Sequence, residues 1–161
     1  MKILKIQALR GPNLWSIRRT KLIQMRLDLE ELEERPTDKI EGFRERIEAL
    51  LPTLIEHRCS EGCYGGFFQR VDRGTWMGHV IEHIALEIQT LAGMDVGFGR
   101  TRETKTAGVY NVVFNYLEEK VGVYAAKASV RIAEALISGE DYDLSEDIQN
   151  MKEIREDVRL G

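Results

Sequence analysis

One segment of the sequence, residues 75–91, is apolar around most of a helical circumference, so a helix formed by it has to be largely buried. Its polar side chains fall on one narrow stripe that contains His79, Glu82, His83 and Glu87. Such a stripe faces either bulk water or an enclosed site. The segment therefore predicts a central helix with a polar strip whose environment decides its function.

The other patterns predict an α+β fold, with an antiparallel or mixed sheet built from two strand pairs and about four helices packed on it. Residues 1–9 and 21–32 alternate as a first strand pair, and residues 94–119 read as a hairpin. Helices are expected from Pro36 to about residue 56 with a break at Pro52, over residues 75–91, over residues 121–139, and after a cap at Ser145. The glycine-rich residues 61–75 read as irregular. We expect one domain, residues 1–161.

Composition limits the classes of function. The chain is 43% hydrophobic and 31% charged, with a formal net charge of −4, so it has no general attraction to nucleic acid or to an anionic membrane. The N-terminal stretch MKILKIQALR lacks the apolar core of a signal peptide, and no apolar run reaches the length of a membrane span. These features predict a cytoplasmic protein.

The two cysteines, Cys59 and Cys63, lie in HRCSEGC and allow three interpretations: a disulfide, half of a metal site, or two ordinary buried thiols. A structural zinc site normally needs four ligands, and only His57 is near in sequence. In a reducing compartment the pair is predicted to be ordinary thiols.

The stretch GHVIEHIALEIQ places His79 and His83 four residues apart, with Glu82 between them. On a helix the two imidazoles are about 40° apart around the axis and about 6 Å apart along it, which lets both bind one metal ion. His-x-x-Glu-His is the reversed form of the His-Glu-x-x-His zinc motif. In such a site neutral imidazoles hold Zn²⁺ and the carboxylate serves as general base. The alternative is a solvated stripe in which histidine and glutamate merely pair.

A catalytic zinc needs a third protein ligand, which the motif does not supply. Glu87 lies one turn beyond His83 and is predicted to support a ligand rather than to bind the metal. Glu134, between apolar neighbours in RIAEALI, is predicted as the third ligand, because a lone carboxylate in such a context usually has a partner.

The blocks RGPNLWS, EHRCSEGCYGGFFQRVDRGTWMGHVIEHIALEIQTLAG and VYNVVFNYLEEKVG resemble the N-terminal domain of cyanophycin synthetases, and the resemblance covers the whole chain. Cyanophycin is a bacterial nitrogen store with a poly-aspartate backbone and arginine joined to each side chain. Full synthetases add two ATP-dependent ligase domains. No phosphate-binding Gly-x-x-x-x-Gly-Lys-Ser/Thr motif is present here, so no nucleotide site is expected.

The resemblance implies that the domain helps bind the polymer. It also implies a metallopeptidase-like site that cuts cyanophycin internally and so generates primers. His79, Glu82 and His83 match the motif of such a site, with one Zn²⁺ as its cofactor. The expected partners are cyanophycin and the ligase domains of a parent synthetase that forms a homo-oligomer. Arg100 and Arg102 are candidates to bind the carboxylates of the polymer. The alternatives are a non-catalytic docking domain and a purely architectural one.

Overall fold

The computed structural model describes residues 1–18 and 20–161, and in this part of the chain four strands form one antiparallel sheet. The strands are β1 (Lys2–Arg10), β2 (Lys21–Asp28), β3 (Gly99–Glu103) and β4 (Val109–Asn115). Their order in the sheet is β1-β2-β4-β3, so the two predicted strand pairs join through β2 and β4. The predicted α+β class with an antiparallel sheet is confirmed, and β3 lies at one edge.

Five α-helices occur within the described residues, one more than the approximate number predicted: α1 (Phe43–Leu50), α2 (Gly66–Arg73), α3 (Met77–Leu91), α4 (Glu119–Ser138) and α5 (Leu144–Leu160). The additional helix is α2, and it lies in the glycine-rich stretch that was predicted to be irregular. Phe67, Phe68 and Val71 are buried on one side of α2. Their spacing of one and four residues is a helical signal that the surrounding glycines masked.

The helix predicted from Pro36 to about residue 56 is divided. Only Phe43–Leu50 is α-helical, and 3₁₀ turns cover Thr37–Lys39 and Pro52–Glu56. Gly42 has a φ of 69°, a left-handed conformation that separates the first turn from α1. Pro52 lacks an amide hydrogen and starts the second turn, so the break predicted there is confirmed.

The core lies between the sheet and the helices. Ile23, Met25 and Leu27 alternate along β2 towards this core, and all three are fully buried. Helix α3 packs against α4, β4 and β3, and its apolar side chains are buried as its sequence predicts. The hydrophobic effect of covering α3 on several sides therefore fixes its position, and its polar stripe with it.

The helix ends also follow local chemistry. Gly93 and Gly139, with φ of 86° and 78°, end α3 and α4 where predicted. The cap of α5 differs from the prediction, because the carboxylate of Asp143 accepts hydrogen bonds from the amide and hydroxyl of Ser145. Among the described residues, no helix combines the length and apolar character that a membrane span requires.

Candidate metal centre

The polar stripe of α3 forms the floor of a cleft of about 920 Å³. One wall consists of the turns around residues 53–60, together with Arg70 of α2. The other wall consists of Val96, Gly97, Gly99, Thr101 and Tyr110 of the adjoining hairpin. Glu82 and His83 are each 6% exposed, and Glu87 is 3% exposed. The stripe is therefore enclosed in a site rather than open to bulk water.

Three side chains converge in this cleft with the donor atoms that a metal ion requires. The Nε2 atoms of His79 and His83 are 3.0 Å apart, and the sulfur of Cys59 lies 3.0 Å from Nε2 of His79. One ligand atom from each residue lies within 4.8 Å of the other two. Cys59, His79 and His83 therefore form a group that could hold a metal ion.

Hydrogen bonds behind each imidazole indicate which ring nitrogen faces this cluster. The Nδ1 atom of His79 lies 3.0 Å from the hydroxyl of Thr75. The Nδ1 atom of His83 lies 2.9 Å from Nδ1 of His57, which places His57 as its acceptor when His83 carries the proton there. With both Nδ1 atoms protonated, the two Nε2 lone pairs converge on one region, and the two nitrogens are 3.0 Å apart. A cation bound to both nitrogens would remove the repulsion between the lone pairs, so the donor set fits a metal.

The hydrogen-bond chain continues from His57 to a buried carboxylate. Nε2 of His57 lies 2.8 Å from Oε2 of Glu87, and the hydroxyl of Thr53 donates to the other oxygen of Glu87. His83, His57 and Glu87 thus form a relay in which each N–H has one acceptor. Such outer partners fix the tautomer and the orientation of a ligating histidine. The predicted supporting role of Glu87 agrees with this placement.

Burial keeps both histidines of α3 uncharged at neutral pH. It lowers the pKa of His79 to about 4, with a further contribution from the positive charge of Arg70. Burial, then the neighbouring His79 and His57, holds the pKa of His83 well below its ordinary value. A metal binds the neutral imidazole, so neither histidine has to lose a proton first.

Glu82 lies beside the cluster rather than in it. Its Oε1 atom is 4.0 Å from Nε2 of His83, and the hydroxyl of Thr101 on β3 donates to its Oε2 at 2.6 Å. Burial raises the pKa of Glu82 to about 7, against the opposing effect of the Thr101 hydrogen bond. A hydrogen-bonded carboxyl in this position can exchange a proton with a group held at the cluster.

The segment that supplies Cys59 is held by α2. The amide of Phe67 donates to the carbonyl of His57, and the Phe67 ring lies 4.6 Å from the ring of His83, centroid to centroid. Cys59 itself has a φ of 54°, a left-handed conformation that is costly for a residue with a side chain. Strain of this kind is concentrated at functional sites.

The structure places the two cysteines differently from the predicted pair of ordinary buried thiols. Both thiols are free; Cys59 is half-buried in the cluster, and Cys63 is exposed. The prediction for the cysteine pair rests on the four ligands of a structural zinc site, and it does not include the histidines of α3. A sequence signal for Cys59 as a ligand does exist. Its thiol, counted together with the imidazoles of His79 and His83, supplies the three protein ligands of a catalytic zinc site.

Glu134, the predicted third ligand, does not reach the cleft. It lies on the exposed side of α4, 48% accessible, and its carboxylate pairs with the N-terminal amine of Met1 at 3.5 Å. The apolar neighbours of Glu134 in sequence face the core, while Glu134 faces outward. Cys59, and not Glu134, is the third donor beside His79 and His83.

Arg100 and Arg102 lie outside the cleft. They alternate along β3 with Thr101, whose side chain contacts Glu82, so both arginines face the other side of the sheet, called here the outer face. On that face Lys5, Arg26, Asn111 and Arg102 are successive cross-strand partners. The outer face therefore has a polar row across all four strands, which is basic on β1, β2 and β3 and neutral at Asn111 of β4.

Two guanidinium groups line the cleft, that of the exposed Arg58 and that of the half-buried Arg70. Arg70 is the one with an unpaired donor: its Nε atom is buried and, among the described residues, has no hydrogen-bond partner. A buried donor without an acceptor is costly, so a ligand that supplies one is favoured. No sequence pattern indicated this role, because the segment that forms α2 was predicted to be irregular.

Comparison with known proteins bears on this centre. A family model described as "Cyanophycin synthase-like N-terminal domain" matches residues 24–138. Proteins named cyanophycin synthetase are similar over the whole chain: the one from Geminocystis herdmanii is 56% identical, that from Trichormus variabilis 56%, and that from Synechocystis sp. 54%. The chain spans 18% to 19% of the length of these relatives.

Proposed function

The chain belongs to the family of cyanophycin synthase-like N-terminal domains, and we propose that it is a zinc-dependent endopeptidase domain that cuts cyanophycin internally. The fragments provide primers for polymer synthesis, and the domain also helps bind the polymer. One observation supports this most strongly: Cys59, His79 and His83 converge within 4.8 Å, beside the buried carboxyl of Glu82.

The donor set suits zinc. One thiolate and two imidazoles are ligands that Zn²⁺ prefers, and three protein ligands leave the fourth tetrahedral position for water or substrate. When bound, Zn²⁺ polarises a carbonyl and makes its water acidic near neutral pH. His57 and Thr75 contact Nδ1 of His83 and His79, which leaves Nε2 of each ring as the atom that would hold the ion.

Glu82 moves the proton. Its Oε2 is fixed by Thr101, and its Oε1 is directed towards the cluster. In peptide hydrolysis the attacking water loses a proton and the leaving nitrogen gains one, so a single carboxyl can accept the first and deliver the second. The burial of Glu82 and His83 on the cleft floor shields this transfer from bulk water.

Charge in and around the cleft fits a polymer whose units each have a free carboxylate and a guanidinium. Arg70 offers a guanidinium near the cluster, where a substrate carboxylate supplies the acceptor that its Nε needs. The basic side chains of the outer face, among them Arg100 and Arg102 on β3, offer a second place for carboxylates. The domain thereby holds the chain on both sides of β3.

The parent of such a domain is a longer synthetase. Because the chain matches about a fifth of each relative, we propose that this single domain acts with ATP-dependent ligase domains in a cytoplasmic homo-oligomer. Its cuts supply new chain ends, which those ligases extend.

The test is to incubate the chain and its Glu82→Gln variant with soluble cyanophycin and Zn²⁺, and to follow polymer length by gel and mass spectrometry. The substitution retains the shape and removes the proton acceptor. Cleavage should fall by about 10²–10⁴-fold, while zinc remains bound. Equal shortening by both proteins would contradict the role of Glu82. Polymer binding without cleavage by either would favour a docking domain, for which the basic outer face is the supporting observation.

A further inference from the structure

Strand β3 is the edge of the sheet nearest to the metal centre, and its unpaired side borders the cleft. It is a neighbour of β4 alone in the strand order of the described residues. Gly97, Gly99 and Thr101 all line the cleft. An edge strand has a row of main-chain donors and acceptors that can pair with another extended chain.

The register shows which main-chain groups are free. The amide of Asn115 donates to the carbonyl of Phe98, and the amide of Thr104 donates to the carbonyl of Val109. In an antiparallel pair, hydrogen-bonded residues alternate with residues whose main-chain groups point away from the partner strand. The residues of β3 that point their N–H and C=O groups away from β4 are Gly99, Thr101 and Glu103.

These free groups lie beside Glu82. Thr101, whose main chain faces the edge, donates its hydroxyl to Glu82 at 2.6 Å. A Cβ atom on Gly99 would be only 2.5 Å from Oε1 of Glu82, so the bare main chain of β3 is in close contact with the carboxyl. A chain paired with β3 would run about 4.7–4.9 Å from it, over the cleft floor that contains His79 and His83.

We infer that the free edge of β3 is a docking edge, on which an extended polypeptide chain adds as a fifth strand and presents its main chain to the metal centre. Main-chain pairing gives affinity that does not depend on a particular side chain of the bound polypeptide, and its alternate side chains give selectivity. This inference rests on the proposed function for its substrate. The docking edge adds a way to hold that substrate, by main-chain pairing with β3.

The alternation of side chains explains why cations are found on both faces beside β3. Successive side chains of an added strand point to opposite sides of the sheet. One set enters the cleft towards Arg70, and the other meets Arg100 and Arg102 on the outer face. A chain with a carboxylate on every residue satisfies both sets. The same exposed arginines discourage pairing with a second β3, because like charges would meet.

The test is amide hydrogen exchange by NMR on the zinc-loaded Glu82→Gln variant, with and without soluble cyanophycin. Before addition, the amides of Thr101 and Glu103 should exchange rapidly and that of Thr104 slowly, since only the last has a partner in the sheet. With polymer, exchange at Thr101 and Glu103 should slow by roughly tenfold or more. Strand β1, the opposite edge, is the internal control and should not change.

A pair of variants isolates the main-chain contribution. Glu103→Pro removes one outward N–H, a change tolerated on a strand edge, whereas Glu103→Ala removes only the carboxylate. The proline variant should bind cyanophycin about two- to tenfold more weakly than the alanine variant, the range expected for one hydrogen bond. Unfolding curves of both show whether the fold is retained.

The outcomes separate the docking edge from the proposed function. Cleavage by the wild-type chain with unchanged exchange at β3 overturns the docking edge and leaves the peptidase standing. Protection at β3 without cleavage supports the docking edge and rejects the peptidase. Equal affinity of the two Glu103 variants, or no polymer binding at all, also overturns the docking edge.

Discussion

Cys59 differs from every other residue of the cluster because a separate turn, and not α3, brings it there. Its left-handed backbone and the hydrogen bond from Phe67 to His57 place its sulfur 3.0 Å from His79. Cys63, four residues later, is exposed and outside the cluster. The two cysteines therefore form a matched pair for testing which one binds metal.

Cys59→Ala should weaken Zn²⁺ affinity by more than about 100-fold, because removal of a direct ligand exceeds the effect of losing an outer partner. Cys63→Ala should leave the affinity unchanged. Competition against a chromophoric chelator measures both. Substitution by Co²⁺ adds a spectroscopic check, since the sulfur-to-metal charge-transfer band should be lost in Cys59→Ala alone. Equal affinities in the two variants would remove Cys59 from the ligand set.

The raised pKa of Glu82 predicts that the stability of the metal-free chain depends on pH. Its folded pKa of about 7 exceeds the ordinary 4.5, so between these values the folded state binds more protons and stability falls as pH rises. Glu82→Gln removes this penalty. In EDTA the variant should match wild type near pH 4.5 and exceed its free energy of unfolding by about 3 kcal/mol above pH 7. Denaturant titrations across pH measure the difference.

Glu87→Gln is the control, since this substitution should lower the free energy of unfolding at neutral pH, whereas Glu82→Gln should raise it. Burial raises the pKa of Glu87, but hydrogen bonds from His57 and Thr53 outweigh burial and hold it below the ordinary value. The ionised form of Glu87 therefore stabilises the fold above that pKa, and the variant should be less stable than wild type at neutral pH. A pH-independent difference for Glu82→Gln would contradict the assigned burial effect.

At the scale of elements, α3 and β3 approach each other closely where Glu82 meets Gly99. Gly99 has no side chain, and this leaves the space that the carboxyl of Glu82 occupies. Glu82 in turn is fixed by Thr101 of the same strand. The strand thus positions Glu82, which is the proton-transferring group of the proposed peptidase, and by the same proposal the substrate beside it.

Gly99→Ala should displace Glu82 while leaving the fold and the metal ligands intact, because the atoms it meets are the end of one side chain. A shift of about 1 Å in a catalytic group can cost about 100-fold in rate. Cleavage should fall by that order with zinc affinity unchanged. Gly97→Ala is the control, since a Cβ there meets nothing within 4 Å. Full activity in Gly99→Ala would show that the position of Glu82 is not critical.

The elements also show what the sequence could predict. The strands, α3, α4 and the break at Pro52 follow from local periodicity and from glycine or proline chemistry. Helix α2 was missed because its three apolar residues lie among glycines. The cap of α5 was misplaced by two residues because Asp143 and Ser145 both have cap-forming side chains.

At the scale of the whole molecule, the candidate metal centre joins parts of the chain that are distant in sequence. The spacing of His79 and His83 is local, so their proximity was predictable. Cys59 and His57 reach them only after α2 packs under the turn, a tertiary event that no local pattern encodes. The prediction of Glu134 as a metal ligand rests on its apolar neighbours alone, and these do not indicate which side of α4 faces the cleft. Its partner is the chain's own N-terminus.

The central claim is that Cys59, His79 and His83 hold one zinc ion, and a crystal grown with Zn²⁺ tests it most directly. An anomalous difference map at the zinc absorption edge should show one peak, about 2.0–2.1 Å from Nε2 of each histidine and about 2.3 Å from the sulfur of Cys59. The fourth position should be taken by solvent, within reach of Glu82. A map without a peak in the cleft, or a peak held by other residues, would contradict the account.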